Sequence, residues 1–379
     1  MNKYTMFDYI AWRKDINFNA LEFNEIDNLV LTNLSYIRFR DIVPNNKSSI
    51  TIHDAIEAFL KKDITMLDIR DKKDVEFLIL IKDTKRYGNL KMLYHQEIYE
   101  DESETQFGAW LIEIKRNLYF LSYRGTDNFI AGWKEDLNLT FETVKAQKLA
   151  LAYLEEVTKK FTFAKFICAG HSKGGNLVMY ACAHASKQAY KKVIKIYNND
   201  GPGFDFKHID IEPYLAINNK LVSFTPEFSF VGQMMTQPKD MTIIQSNAVL
   251  VLQHDMYTWL MEPDKLIRSE NIDVNALKCK RVLTKWLDAL NLDERRKFVN
   301  GIYEIIQMAD AKDIFGILPG LVKNRKAIQN KLTSMDVVTR NAIESSFNEF
   351  FESLRASISI SLETLGTSIH NKIFNNDKK

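Results

Sequence analysis

The strongest chemical signal in the chain is residues 170–174, which read Gly-His-Ser-Lys-Gly. This run fits the G-x-S-x-G pattern, in which a serine lies on a sharp turn between a buried strand and a helix. The preceding run, Phe163–Cys168, is short and almost wholly apolar, as a strand buried on both faces of a parallel sheet should be. The following run, Asn176–Ser186, is rich in small residues and predicts a closely packed helix. The pattern therefore predicts Ser172 as a nucleophile.

The flanking glycines have a physical reason. Side chains at positions 170 and 174 would collide with the neighbouring strand and helix, so only glycine fits there. The turn also aims the backbone N–H of Lys173, at the start of the helix, at the position where an oxyanion would form.

A second donor is predicted in residues 123–127, which read Tyr-Arg-Gly-Thr-Asp and end a predicted strand. Thr126 offers a backbone N–H and a hydroxyl, and Gly125 allows a close approach. Trp133 and Asp136 follow in sequence. The alternative interpretation is a strand-end turn held by the charges of its arginine and aspartate.

A serine hydroxyl needs a base, and the chain has seven histidines. His254 is C-terminal to every predicted strand, which fits the order serine, acid, histidine of this motif class. His171 is interpreted as a packing or turn residue. Two acids remain open: Asp200, in a glycine-rich turn after one strand, and Glu227, at the end of the next.

Elements around these residues alternate between strand and helix. Apolar residues in 1–60 recur at helical spacing. From about residue 75 the sequence changes to apolar runs that contain β-branched and aromatic residues, the first of which is Val75–Ile81. The run Glu142–Lys160 predicts a helix. Strands are predicted at Phe107–Glu113, Asn117–Tyr123, Lys192–Asn198, Lys220–Thr225 and Met241–Gln245. Residues 263–379 predict a helical extension, with Leu354, Ile358, Leu362, Leu365 and Ile369 on one face of its last helix. The sequence therefore predicts an α/β fold with a mainly parallel sheet in residues 1–262, followed by this extension.

The composition of the chain argues against several classes of protein. The 51 basic and 49 acidic residues leave a net charge of +2, without the basic excess expected of a nucleic-acid-binding protein. Three cysteines without metal-ligand spacing argue against a disulfide framework or a zinc site, and no cofactor is implied. No secretory signal or run long enough to span a bilayer is visible. We therefore expect a cytoplasmic protein, with peripheral membrane contact and oligomeric state left open.

Several segments resemble class 3 lipases and, more closely, the bacterial Mbeg1-like proteins related to them. These segments are residues 7–13, 24–36, 123–126, 170–176, 199–204, 229–232 and 253–259. The resemblance covers about residues 5–262 and implies an α/β-hydrolase fold with lipase-like or esterase-like activity. By position it implies Ser172 as nucleophile, His254 as base, and Thr126 and Lys173 as oxyanion donors.

The two families imply different residues as the acid of the site. An alignment with class 3 lipases favours Glu227, whereas the closer family favours the Asp200 segment. Lys173 stands where class 3 lipases usually carry leucine, which predicts a more polar pocket rim. The leading hypothesis is a serine hydrolase acting on a small-molecule or lipid ester. The alternative is a non-catalytic binding or regulatory module that keeps this turn as scaffold.

Overall fold

The computed structural model describes residues 4–65, 68–70, 72–100, 105–126, 139, 143–229, 231–274, 276–278, 280–281, 290–308 and 323–345. An eight-stranded sheet lies at the centre of this part of the chain, with its strands in chain order. The strands are β1 (Ile50–Thr51), β2 (Lys91–Glu100), β3 (Thr105–Lys115), β4 (Leu118–Tyr123), β5 (Lys165–His171), β6 (Val193–Asn199), β7 (Leu221–Pro226) and β8 (Thr242–Ile244). Strands β1 to β4 pair antiparallel, and β4 to β8 pair parallel.

Helices flank the sheet. In chain order they are α1 (Met6–Arg13), α2 (Glu25–Leu34), α3 (Ile52–Leu60), α4 (Lys72–Lys82), α5 (Lys145–Lys160), α6 (Lys173–His184), α7 (Lys187–Lys192), α8 (Glu212–Leu215), α9 (Leu292–Met308) and α10 (Arg325–Ser334). Among the described residues, no helix has the length and apolar character needed to cross a membrane.

The order of the parallel strands decides which helices cover which face. Right-handed crossovers between successive neighbours place their helices on one face of the sheet. Helices α5 and α6 accordingly share a core with Leu111 of β3 and Cys168 of β5. The opposite face, with Ile112 and Ile167, packs against the N-terminal helices α1 to α4. Side chains alternate between the two cores along each strand, as a two-faced sheet requires.

Helix α2 is buried on all sides between the sheet and the other N-terminal helices. Asn24 caps its start by accepting from the N–H groups of Ile26 and Asp27. The buried Asp27 carboxylate in turn pairs with the buried Arg86 guanidinium at 2.6 Å. This ion pair ties α2 to the segment before β2 and fixes the helix against the sheet.

The predicted α/β class and the predicted strands are confirmed. The run Val75–Ile81 lies in helix α4, outside the sheet, and strand β2 was not predicted. A short apolar run fits a buried helix or a strand equally well, whereas β2 carries polar or charged residues at half of its positions and so gives no clear apolar signal. Helices α9 and α10 lie in the predicted helical extension, while the predicted last helical face beyond residue 345 lies outside the described residues.

Candidate active site

Ser172 lies on the turn between β5 and α6 with φ 56° and ψ −129°. This is a strained conformation for a residue with a side chain, and such strain is typical of a nucleophile turn. Its backbone N–H donates to the Asn199 carbonyl at 3.1 Å, which fastens the turn to the end of β6. The serine is partly exposed, whereas both of its neighbours in sequence are buried.

The two flanking glycines leave no room for side chains. A Cβ on Gly170 would lie 2.0 Å from the Gly174 carbonyl oxygen, and one on Gly174 would lie 2.2 Å from the Tyr123 carbonyl oxygen of β4. Both obstacles are backbone atoms, which cannot rotate away. The geometry agrees with the collision expected from the G-x-S-x-G spacing.

The structure brings His254 and Asp200 together. Nδ1 of His254 lies 2.7 Å from Oδ2 of Asp200, although 54 residues separate them in sequence. A carboxylate oxygen accepts, so Nδ1 carries the proton and Nε2 is left as the basic ring nitrogen. The His254 ring also lies against that of His171, with centroids 4.4 Å apart, so this imidazole lies beside the serine turn.

Asp200 is fully buried, with φ 53°, at the end of β6. Its second oxygen, Oδ1, accepts from Ser229 Oγ at 2.6 Å and from Thr225 Oγ1 at 2.8 Å. A Cβ on Gly232 would lie 2.1 Å from that same oxygen, so glycine is required for the loop to close over the carboxylate. These contacts fix the orientation of the carboxylate towards His254.

The other candidate acid, Glu227, and Asp255, which follows His254 in sequence, have different partners. Glu227 accepts from Ser269 Oγ at 2.5 Å. Asp255 caps the short helix after it by accepting from the Tyr257 N–H at 3.0 Å. Of the acids weighed from the sequence, Asp200 is the one hydrogen-bonded to His254.

The segment that carries His254 is anchored on both sides. Trp259 Nε1 donates to the Gln253 carbonyl at 2.8 Å, and the Gln253 side chain accepts from the Phe228 N–H at 2.9 Å. These contacts hold the short helix Leu250–His254 against the end of β7. The His254 side chain is 28% exposed, so its imidazole is reachable from outside.

The predicted oxyanion donors lie on two neighbouring elements. Lys173 begins α6, and the positive end of this helix faces the serine turn. Thr126 is half-buried after β4, while Trp133 and Asp136 lie outside the described residues. A Cβ on Gly125 would lie 2.6 Å from the His171 carbonyl oxygen, so this loop approaches the serine turn at backbone distance.

The expectation of a polar rim at Lys173 is wrong. Its side chain is buried, and Nζ donates to the Gln106 carbonyl of β3 at 2.9 Å. A long side chain at this position reaches across the sheet end instead of lining the opening. The apolar residues that follow β7 pack inward, since Phe228 and Met234 are buried and Met235 lies against the helices of the C-terminal extension.

Within the described ranges, no group of three or more His, Cys, Asp or Glu side chains is placed to hold a metal ion. The sequence did not indicate that Thr225, Ser229 and Gly232 contact Asp200. Ser229 and Gly232 lie in a segment of the family resemblance, residues 229–232, whereas Thr225 lies at the end of a predicted strand.

Comparison with known proteins shows the family to which the chain belongs. A model of the Mbeg1-like family matches residues 81–304, more than half of the chain. The chain belongs to the Mbeg1-like family. A search of curated proteins finds no match. The eight-stranded, mostly parallel sheet with flanking helices has the α/β architecture predicted from the sequence.

Three solved structures are similar to this Mbeg1-like protein at low identity. A mutant form of MDLA from Penicillium cyclopium is 14% identical with a TM-score of 0.34, covering 48% of this chain and 72% of that one. The Rhizomucor miehei lipase propeptide complex is 14% identical with a TM-score of 0.31, covering 42% and 57%. M37 lipase is 13% identical with a TM-score of 0.36, covering 54% and 68%.

Proposed function

We propose that this Mbeg1-like protein is a serine hydrolase that cleaves a carboxylic ester through an acyl-enzyme on Ser172. The observation that carries the proposal is the 2.7 Å hydrogen bond between His254 Nδ1 and the buried Asp200 carboxylate. It lies next to a strained serine on a strand-to-helix turn. A nucleophile, a base and an orienting acid brought together from three distant parts of the chain form the arrangement used for acyl transfer.

In the first half-reaction, Nε2 of His254 takes the hydroxyl proton as Ser172 Oγ attacks the ester carbonyl. The tetrahedral intermediate collapses when His254 returns the proton to the leaving alkoxide, which departs as the alcohol. Asp200 holds the imidazole with its proton on Nδ1 and stabilises the imidazolium. Water then attacks the acyl-enzyme in the same way, which releases the carboxylic acid and restores the serine.

The oxyanion of each intermediate would accept from the backbone N–H groups of Lys173 and Thr126. The Lys173 amide lies at the N-terminus of α6, where the helix dipole favours negative charge. Each such donor contributes about 3 kcal/mol to lowering the barrier. Because the buried side chain of Lys173 points away to Gln106, its role here is that of its backbone alone.

Hydrolysis of p-nitrophenyl butyrate by purified protein tests the proposal. We expect Ser172→Ala and His254→Ala each to lower kcat by about 10⁴ or more, since each removes a group on which the others depend. Melting temperatures establish that the variants fold. Hydrolysis that persists unchanged in Ser172→Ala would refute the assignment. Absence of Ser172-dependent hydrolysis over a series of acyl chain lengths would favour the non-catalytic binding module.

A further inference from the structure

His171, the residue before the nucleophile, is buried and makes three contacts that the proposed reaction does not use. Its Nε2 lies 2.8 Å from the main-chain carbonyl oxygen of His254, and its Nδ1 lies 2.6 Å from the Tyr36 hydroxyl. Its ring also lies against the His254 ring, with centroids 4.4 Å apart and planes at 33°. One imidazole therefore contacts both the backbone and the side chain of the proposed base.

The hydrogen bonds fix the tautomer of His171. A carbonyl oxygen can only accept, so Nε2 of His171 carries the proton and donates a hydrogen bond to the His254 carbonyl oxygen. In the neutral ring, Nδ1 is then an acceptor, and Tyr36 O–H donates to it. The tyrosine hydroxyl thus selects the one neutral tautomer that can bond the backbone of His254.

The surroundings keep His171 neutral. Burial, reinforced by the charges of His254 and Arg70, lowers the pKa of His171 well below its usual value. The Arg70 guanidinium lies over the Tyr36 ring, 4.0 Å from its centroid, and pairs with the buried Asp74 at 3.0 Å. Among the described residues, the charged or titratable groups on this side of the ring are Tyr36, Arg70 and His254, with Asp74, Asp255 and Tyr257 around Arg70.

Neutrality matters because His254 becomes an imidazolium during the proposed reaction. A second cation 4.4 Å away would oppose that charge, whereas the face of a neutral ring does not. A base also has to be held within a few tenths of an ångström of its working position. The neutral His171 meets both requirements through the two contacts it makes with His254.

We propose that Tyr36 and His171 are positioning residues for His254, which hold its main chain and keep an uncharged ring against its imidazole. The proposal rests on the proposed function, because it describes how the base of that reaction is prepared. It also gives the N-terminal helical part a role, since Tyr36 lies just beyond helix α2. Neither residue touches the reacting atoms.

The test compares Tyr36→Phe with Tyr153→Phe. Tyr153 is an equally buried tyrosine whose hydroxyl donates to the Tyr94 carbonyl at 2.7 Å, in the core on the other face of the sheet. Both variants lose one buried tyrosine hydroxyl, and their melting temperatures show how much each loss destabilises the fold. Steady-state hydrolysis of p-nitrophenyl butyrate is measured for each over pH 5–9.

We expect Tyr36→Phe to lower kcat about tenfold with KM within about twofold of wild type. The acid limb of both variants should keep the one-proton slope of wild type, because burial and the charges of His254 and Arg70 still lower the pKa of His171. Tyr153→Phe should keep the wild-type kcat. A Tyr36→Phe variant that matches Tyr153→Phe in kcat would overturn the inference.

A second pair of variants keeps the test decisive if Tyr36→Phe is poorly folded. His171→Gln retains a side-chain N–H donor for the His254 carbonyl, and His171→Leu does not. We expect kcat to be at least fivefold higher in His171→Gln than in His171→Leu, and equal values near wild type would contradict the proposal. Failure of the proposed function itself is distinguishable, since wild type would then show no hydrolysis that depends on Ser172.

Discussion

At the scale of single residues, Asp200 is the position on which the site depends most. It is a buried acid with a positive φ, and its two oxygens accept from His254, Thr225 and Ser229. A residue with a side chain adopts such a backbone angle at a cost of about 1 kcal/mol or more. The surrounding hydrogen bonds offset that cost and leave one carboxylate oxygen directed at the base.

Asp200→Asn tests this role. The amide is nearly isosteric but can present an N–H to His254, which favours the tautomer with its proton on the wrong nitrogen. We expect kcat for p-nitrophenyl butyrate to fall by about 10⁴ with little change in KM. Glu227→Gln is the matched control, since Glu227 bonds to Ser269 instead. Near-normal activity in Asp200→Asn together with loss in Glu227→Gln would reverse the assignment of the acid.

A second residue, His95, makes the stability of the fold depend on pH. His95 on β2 is buried, and burial lowers its pKa from 6.5 to about 4. The unfolded chain binds a proton near pH 6.5 and the folded one only near pH 4, so this stabilisation is complete above pH 6.5 and is lost as the pH falls towards 4. The loss amounts to about 3 kcal/mol at most.

His95→Gln should remove this dependence. Between pH 7.5 and 5.0 we expect the free energy of unfolding to fall by about 2 kcal/mol more in wild type than in the variant, because the other buried histidines titrate alike in both proteins. The free energies of unfolding of the two proteins should therefore converge, or cross, at the lower pH. A constant difference between them over this interval would mean that His95 titrates normally in the fold.

At the scale of elements, the junction of β5 and α6 brings backbone against backbone. Glycine at position 174 lets α6 start directly against β4, and Gly175 packs against the Gly201 turn that follows Asp200. Asn176 donates to the Pro202 and Gly203 carbonyls at 3.2 and 3.1 Å, which joins the same helix to that turn. Nucleophile and acid are thus carried by two turns that contact each other.

Gly174→Ala should break this junction. The added methyl meets the Tyr123 carbonyl oxygen, a backbone atom of a central strand, so the element has to shift at a cost of about 1–3 kcal/mol or more. We expect a melting temperature several degrees lower and a loss of ester hydrolysis. Gly301→Ala is the control, because its added methyl meets side-chain tips of Ile343 and Met335 that can move. Equal effects of the two substitutions would contradict the argument.

At the scale of the whole molecule, the C-terminal extension is joined to the α/β part by a buried ion pair. Arg295 of α9 pairs with Asp205 at 2.6 Å, in the loop that follows the Asp200 turn. Met235, near the loop that closes over Asp200, packs against the helices of the extension. The extension therefore contacts the two segments that hold the proposed acid.

Arg295→Met should uncouple this contact by leaving Asp205 without its main partner. Removal of one partner from a buried ion pair typically costs about 3–5 kcal/mol. We expect a lower midpoint of urea unfolding, partly restored in the double variant with Asp205→Asn. The exposed pair of Arg296 and Asp293 at 3.4 Å provides the control, and Arg296→Met should change stability by less than about 1 kcal/mol. Equal losses in both single variants would argue against the docking role.

The sequence was most informative where one local rule dominates. Residues 170–174 combine a motif with its required strand and helix, so the serine turn could be predicted from the sequence alone. The choice between Asp200 and Glu227 could not be predicted, because both lie at the ends of parallel strands. The position of His254 in the fold distinguishes them, since it is hydrogen-bonded to Asp200. The contact of Tyr36 with His171 could not be predicted either, since it joins positions 135 residues apart.

The central claim is that Ser172 is an activated nucleophile, and reaction with a fluorophosphonate probe tests it most directly. Folded wild-type protein should gain the mass of one adduct, mapped by peptide sequencing to Ser172. Heat-denatured wild type and folded Ser172→Ala should gain none, because the serine is reactive only beside an intact base. Folded wild type that stays unlabelled, or a label that persists in Ser172→Ala, would contradict the account.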